Sequence, residues 1–306
     1  VIAIVVHGPD FASTENLTRA FALWDDVQLI SAYPSDWREY DEGILADEDN
    51  MDLVHHVLDQ SSMIVLGDAT SVYALAKVCP DINWLQWARS KDIIAYFGDS
   101  AYFKHPWFYD GLCAEMNVNR LFLLPNLMPL TKLDAIPLHH PMDVGETEKA
   151  ETLTIAHAPG RDGKAGQKGT EIVERVINKL NKEYAFDYLR IMYMTIKECL
   201  YVKGQAHIVI DQLPPDGVPF GLGRTGTEAL AVGSAVITKL YDTYVLKCYF
   251  PPPPVIDIRD EEGLELALIR LLEDRDVLTS IQAISLEWAQ ENIAYEPWLE
   301  YVGRHI

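Results

Sequence analysis

Three cations and four glycines crowd the stretch Gly160–Gly169: Arg161, Lys164 and Lys168 are interleaved with Gly160, Gly163, Gly166 and Gly169. An apolar run, TIAH, precedes them, and the amphipathic sequence TEIVERVINKL follows, beginning at Thr170. Glycines let the backbone approach an anion closely, and a helix start adds partial positive charge. Arg can grip a diphosphate through two parallel hydrogen bonds, while Lys acts as a point charge. The chemistry on offer is anion binding, with a solvated basic turn that only caps a helix as the plainer alternative. The order of residues is neither the GxxxxGK[ST] phosphate loop nor the GxGxxG dinucleotide fingerprint.

A second strand–loop–helix pattern follows, HIVIDQLPPDGVPFGLGRTGTEALAVGSAVITKL. Gly221, Leu222 and Gly223 lead into a short helix carrying Glu228, a carboxylate that can accept hydrogen bonds from ribose hydroxyls. Thr225 and Glu228 also have the T-x-x-E spacing of a capping box, which would occupy the same carboxylate locally. Asp211 ends an apolar run and either points toward a ligand or caps a turn. Gly233 is positioned to stop the helix.

The elements that must carry these loops alternate regularly. Strands are expected at Val1–Val6, Val27–Ala32, Met63–Leu66, Ile93–Phe97 and Leu121–Leu124. They recur at Thr152–His157, Tyr188–Met192, His207–Asp211 and Ala235–Leu240. Helices are expected from a cap at Ser13 or Thr14 through Leu17 and Phe21, at Met51–Leu58, and after Thr70. Others are expected at Thr170–Asn181, Thr225–Val232, Gly263–Glu273, Val277–Asn292 and Pro297–His305. Such alternation means α/β architecture with parallel sheets, whose ligands bind beyond the carboxyl ends of strands. At those ends in the first half lie His7 and Gly8, Gly67 and Asp68, and Asp99 and Ser100. His7 is either an acceptor contact or a satisfied loop histidine, and Asp99 and Ser100 either line an acceptor site or cap the next helix. The pattern lapses from about Leu130 to Lys149, where a linker is expected, and Pro251–Pro254 reads as a stiff extended loop.

Composition sets limits. The 306 residues, 49% hydrophobic and 23% charged, suit two α/β domains. The net charge is −21. Residues 1–150 hold 9 Lys and Arg against 23 Asp and Glu, a balance of −14, and residues 151–306 hold 16 against 23, a balance of −7. Polyanions are repelled by such a surface, so nucleic acid is disfavoured as an acceptor. Cys79, Cys113, Cys199 and Cys248 are scattered, which fits reduced thiols and a cytoplasmic setting. No transmembrane segment or export signal is expected. The pairs His55-His56 and His139-His140 are adjacent, lack the i, i+4 spacing of a shared metal, and are read as surface or linker histidines. Tyr102, Phe103, Trp107, Phe108 and Tyr109 are read as core or lid packing.

The combination HAPGRDGKAGQKGTEIVERVINKL, HIVIDQL and GLGRTGTEALAVGSAVIT resembles the C-terminal domain of retaining GT-B glycosyltransferases of the family 4, group 1 type. The motifs cover residues 152–240, and the first half is similar in layout. The resemblance implies two Rossmann-like domains facing across a cleft: residues 1–145 on the acceptor side, 150–285 for the nucleotide-sugar donor, and 286–306 packing back on the N-terminal domain. It implies a hexosyl transferase of the retaining type that needs no metal or other cofactor and takes a UDP- or GDP-sugar as donor. Arg161 and Lys168 would hold the donor diphosphate and stabilise the leaving group. Gly8, Gly160, Gly169, Thr170, Asp211, Gly221, Leu222, Gly223, Thr225 and Glu228 would complete the donor site. His7, Gly67, Asp68, Asp99 and Ser100 would face a neutral or cationic glycan, metabolite or protein acceptor. Many family members have a Glu eight positions before the ribose Glu, where this chain has Phe220; Asp216 lies nearby in the loop. Three alternatives stand beside it: a catalytically weak sugar-nucleotide-binding protein, a two-lobed solute-binding protein, or the same enzyme class with a modified nucleic acid as acceptor.

Overall fold

Strands without a polar interruption form only where both faces of a sheet are covered, and this chain builds two such sheets. The structure, a computed structural model, describes residues 1–6, 12–31, 44–46, 49–67, 71, 91–97, 102, 104–116, 118–159, 168–214, 221–240 and 251–306. Two compact units divide the chain: Val1–Pro141 with Tyr295–Ile306, and Met142–Ala294.

In the first unit the strands are β1 (Ile2–Val6), β2 (Val27–Ser31), β3 (Ile44–Leu45), β4 (Met63–Leu66), β5 (Asp92–Phe97), β6 (Arg120–Leu123) and β7 (Ala135–Pro137). They pair in parallel in the order β3-β2-β1-β4-β5-β6-β7. Alternate residues along each strand enter opposite cores. Ala3, Val5, Ile64, Leu66 and Ala95 meet Val54 and Leu58 of α2 (Met51–Gln60) and Tyr109 of α3 (Pro106–Glu115). Ile2, Ile4, Val65, Ile94 and Tyr96 meet Leu17 and Phe21 of α1 (Ala12–Phe21). The C-terminal helix belongs to this second layer. Its Trp298 is 1% exposed, lies 5.6 Å edge-on from Phe21, and donates through Nε1 to the His139 carbonyl.

The second unit has β8 (Thr154–His157), β9 (Asp187–Arg190), β10 (Ile208–Ile210), β11 (Ala235–Thr238) and β12 (Ile256–Asp257), all parallel, in the order β12-β11-β10-β8-β9. Ile155, Ile208, Ile210 and Ile237 face α4 (Thr170–Leu180) and α7 (Glu261–Glu273). Ala156, Val209 and Val236 face α6 (Arg224–Ala231) and the Trp288 end of α8 (Arg275–Asn292). In α4 the buried set Val173, Val176, Ile177 and Leu180 follows the i, i+3, i+4, i+7 stripe. Among the described residues the remaining α-helices are α5 (Ile196–Gln205) and, in the first unit, α9 (Tyr295–Gly303).

Several expectations change. The supposed linker contains β7, and within it Leu138 and His140 are buried. His140 is no surface residue: its Nδ1 lies 2.6 Å from the Tyr96 hydroxyl. Burial pushes the neighbouring His139 down to about 3. Helix α1 starts at Ala12, so Ser13 and Thr14 are inside it rather than ahead of it. Helix α5 was not foreseen. The return to the first unit begins at Tyr295, while α8 stays with the second. Trp107 and Phe108 are 72% and 43% exposed, so these two do not pack a core, whereas Tyr102 and Tyr109 do. The helix expected after Thr70 falls outside the described residues.

Candidate donor site at the switch point of the second sheet

From β8 the chain moves outward to β9, then returns to add β10 on the other side of β8. Such a switch point leaves a crevice at the carboxyl ends of the two strands. Those ends are His157 and Ile210, which share a register step.

His157 has no exposure. Its Nδ1 lies 2.8 Å from the Ile210 carbonyl, which can only accept, so Nδ1 carries the proton. Nε2 therefore accepts from the Thr170 hydroxyl at 3.0 Å. Burial is the main force on this ring; with the nearby Lys168 charge it outweighs the Ile210 bond and brings the pKa down to about 4. A neutral imidazole thus ties the first residue of α4 to the ends of two strands.

Just before that helix, the Lys168 carbonyl accepts from Leu213 N at 3.0 Å. Gly169 sits at φ +67°, and a Cβ there would meet the Leu213 carbonyl oxygen at 2.3 Å. Only glycine combines that left-handed backbone with so close an approach. The Lys168 side chain lies against the strand end, with Nζ 3.1 Å from Asp211 Oδ1.

Asp211 is fully buried. Its Oδ2 accepts from Gly223 N at 2.6 Å, and a Cβ on Gly223 would come within 2.9 Å of its oxygens. Gln212 Nε2 donates to the Gly221 carbonyl. Asp211 therefore spends one oxygen on the loop before α4 and the other on the loop before α6. It is a joint between two loops rather than a turn cap. Leu222 is buried in the second unit's core, so its side chain does not face a ligand.

Helix α6 starts at Arg224 with Gly223 as its cap residue and no side-chain cap. Thr225 is thus the second helical residue, and the capping-box reading of Thr225 and Glu228 falls. That motif is realised elsewhere: Thr195 and Glu198 exchange both bonds at the start of α5. Glu228 is instead gripped by Lys203 of α5 at Oε2 and by Arg224 Nε at Oε1, 2.7 Å away. Burial works to raise its pKa, yet the Lys203 and Arg224 charges win and hold the carboxyl down at about 2. The residue is an anion at neutral pH. Gly233, at φ +67°, ends the segment as expected.

Lys168, Gly169, Thr170, Asp211 and Gly223 thus converge, linked by His157, and Gly221, Leu222, Thr225 and Glu228 lie on the adjoining loop and helix. Gly67 closes β4 in the first unit, where its N donates to the Val5 carbonyl at 2.9 Å. His7, Gly8, Asp68, Asp99, Ser100, Gly160, Arg161, Asp216 and Phe220 lie outside the described residues. Sequence reasoning missed His157, Lys203 and Arg224. The opposite charges of Arg224 and Glu228 at i, i+4 were a readable signal.

No family model matches the chain, and no curated protein matches it. Solved structures do match over nearly its whole length. An alpha-glucosyltransferase in complex with UDP and a 13-mer DNA containing a HMU base matches with a TM-score of 0.68 at 11% identity, covering 99% of this chain and 98% of that one. HepE of Anabaena, in complex with UDP and glucose, gives 0.67 at 10% identity, covering 99% and 98%. Sucrose-phosphate synthase from Thermosynechococcus elongatus gives 0.63 at 13% identity, covering 99% and 97%. The chain has the two-sheet α/β fold of GT-B glycosyltransferases, with its C-terminal helix returned to the N-terminal unit.

Proposed function

We propose that this protein is a glycosyltransferase that takes a sugar from a nucleoside diphosphate donor bound at the second unit's switch point. The observation that carries this reading is Lys168 held beside the start of α4 by Asp211, where cation and helix dipole act together on an anion. The full-length likeness to enzymes solved with UDP supports it. In the reaction the bond from the sugar C1 to the β-phosphate oxygen breaks and an acceptor hydroxyl oxygen bonds to C1. The hydroxyl proton leaves, and the nucleoside diphosphate departs. Negative charge grows on the departing phosphate; Lys168, held by Asp211, stabilises it, and the Arg161 charge is assigned to the same task. Glu228, kept ionised, takes the ribose hydroxyls. The backbone of Gly221–Gly223 meets the sugar or phosphate. Retention at C1 and independence of metal belong to this reading, as does an acceptor side built from residues 1–145, Gly67 among them.

Net charge alone does not exclude a nucleic-acid acceptor, because the matched alpha-glucosyltransferase was solved with DNA. A hydroxymethylated base in DNA is therefore a second acceptor class, beside neutral or cationic glycans, metabolites and proteins. Among the described residues no helix is long and apolar enough to cross a membrane. The test is a thermal-shift panel of nucleoside diphosphates and their sugars, followed by transfer assays with glycan, small-molecule and hydroxymethylated DNA acceptors. Ligand that binds only the native state raises the melting point. No shift with any nucleoside diphosphate or nucleotide sugar overturns the proposal, and binding without transfer or donor hydrolysis favours a sugar-nucleotide binder.

A further inference from the structure

Lys203 is a buried charge for which the proposed reaction has no use. It lies in α5 at 3% exposure, and its ammonium contacts Glu228 Oε2. Arg224 takes the other oxygen through Nε. The two cations differ in placement. Arg224 stands on the same helix as Glu228, with its side chain 32% exposed, while Lys203 reaches across from a separate helix and is sealed in. Its backbone is fixed as well, since the Lys203 carbonyl accepts from the Ser234 hydroxyl at 3.0 Å.

An ionised carboxylate offers about four acceptor positions, two on each oxygen. Lys203 and Arg224 use one apiece, on different oxygens. Among the described residues no other donor reaches them, so one acceptor position remains on each oxygen of this 7% exposed side chain, and their relative placement is locked because both ends of the carboxylate are held. A vicinal diol carries two hydroxyl donors with matching separation. We propose that Lys203 is a positioning residue: it fixes the Glu228 carboxylate so that its two spare acceptor positions receive the 2′ and 3′ hydroxyls of the donor ribose. This inference rests on the donor reading above.

A merely structural lysine would neutralise Glu228 and stabilise the fold without influencing how the nucleotide's ribose is read. The two roles separate by titration of UDP, GDP and their 2′,3′-dideoxy analogues into the full chain, as wild type, Lys203→Met and Lys203→Arg. Lys179→Met serves as control, because Lys179 of α4 pairs with Glu265 of α7 on the opposite face of the sheet from α5 and α6. Hydrogen bonds to a charged acceptor are worth enough for the wild type to prefer the ribose form by about tenfold or more. Lys203→Met is expected to shrink that preference to about threefold or less while binding of the dideoxy form stays within about twofold. Lys203→Arg retains more of the preference, and Lys179→Met leaves it unchanged. Should the methionine variant fail to fold, Lys203→Gln, which keeps a neutral donor, is read in its place. A wild-type preference that survives in the folded Lys203 variant overturns the inference and leaves the donor reading intact. Wild type that binds no nucleoside diphosphate, UDP and GDP included, overturns both, and wild type that binds the ribose and dideoxy forms equally overturns the role of Glu228 and this inference together.

Discussion

Lys168 Nζ lies 3.1 Å from Oδ1 of Asp211, a carboxylate with no solvent exposure of its own. The same carboxylate takes the amide of Gly223. The lysine proposed to meet the donor is therefore held in place before any donor arrives, which lowers the cost of ordering it. Lys168→Ala is expected to reduce turnover by about 100-fold, the scale for removing one prearranged charge donor. Steady-state transfer assays with saturating donor check this; turnover within about twofold of wild type removes the residue from the reaction.

Gly169→Ala tests the loop geometry apart from charge. The substitution brings a methyl into the Leu213 carbonyl at a left-handed backbone position. A loss of about 2 kcal/mol or more of unfolding free energy is expected, measured by denaturant titration. A variant as stable as wild type would mean that the turn tolerates a side chain and does not fix Lys168.

Glu228 gives a stability signature in acid. Its folded pKa is depressed from 4.5 to about 2. Its contribution is therefore complete above about pH 4.5 and disappears as pH falls toward 2. Comparing wild type with Glu228→Gln across that window should show the largest gap at its upper edge and a shrinking gap below. A gap that does not change with pH would show that the carboxyl is not ionised in the folded protein.

His157 works in the same direction with pH but in a different window, and through a neutral rather than a charged form. Its folded pKa is lowered from 6.5 to about 4, first by burial. Between those values the unfolded chain binds the proton and the folded one does not, so stability rises with pH there. His157→Gln should flatten the part of the stability profile that lies between pH 4 and 6.5. Chemical denaturation at half-unit pH steps measures it, and an unchanged slope would mean that the ring is not buried neutral.

How much of this was legible depends on the kind of signal. The longer strands were, because VIAIVV, MIVL and AVIT are apolar runs with glycine or polar stops, and parallel sheets covered on both faces demand such runs; the two- and three-residue strands β3, β7 and β12 were not. The glycine-rich segments around Lys168 and Gly223 were legible too, as places where backbone must pass close to something. What that something is was hidden: in both cases it includes Asp211 and its neighbours, residues about 40 and 12 positions away in the chain. Helix α5 has only a weak apolar stripe, so periodicity did not announce it, although its Thr195–Glu198 start was written in the sequence. Missing α5 also concealed Lys203, and Glu228 then looked like part of a local cap. β7 escaped for a related reason: as a three-residue edge strand, AIP, with half-buried side chains, it lacks the pattern that marks a central strand.

The twin bonds of Asp211 have a consequence for how this protein can diverge. Chain segment 160–167 leaves at Pro159 and rejoins at Lys168; segment 215–220 leaves at Pro214 and rejoins at Gly221. The rejoining ends are pinned from beneath by Asp211 and Gln212, and Lys168 is pinned again by Leu213. Lengthening the chain between two fixed points adds little closure entropy, so residues can be gained or lost between them while the bonds of Asp211, Gln212 and Leu213 stay in place. On the proposed reading, new donor preferences are thus open to this scaffold through two short stretches of sequence, with Lys168 left untouched.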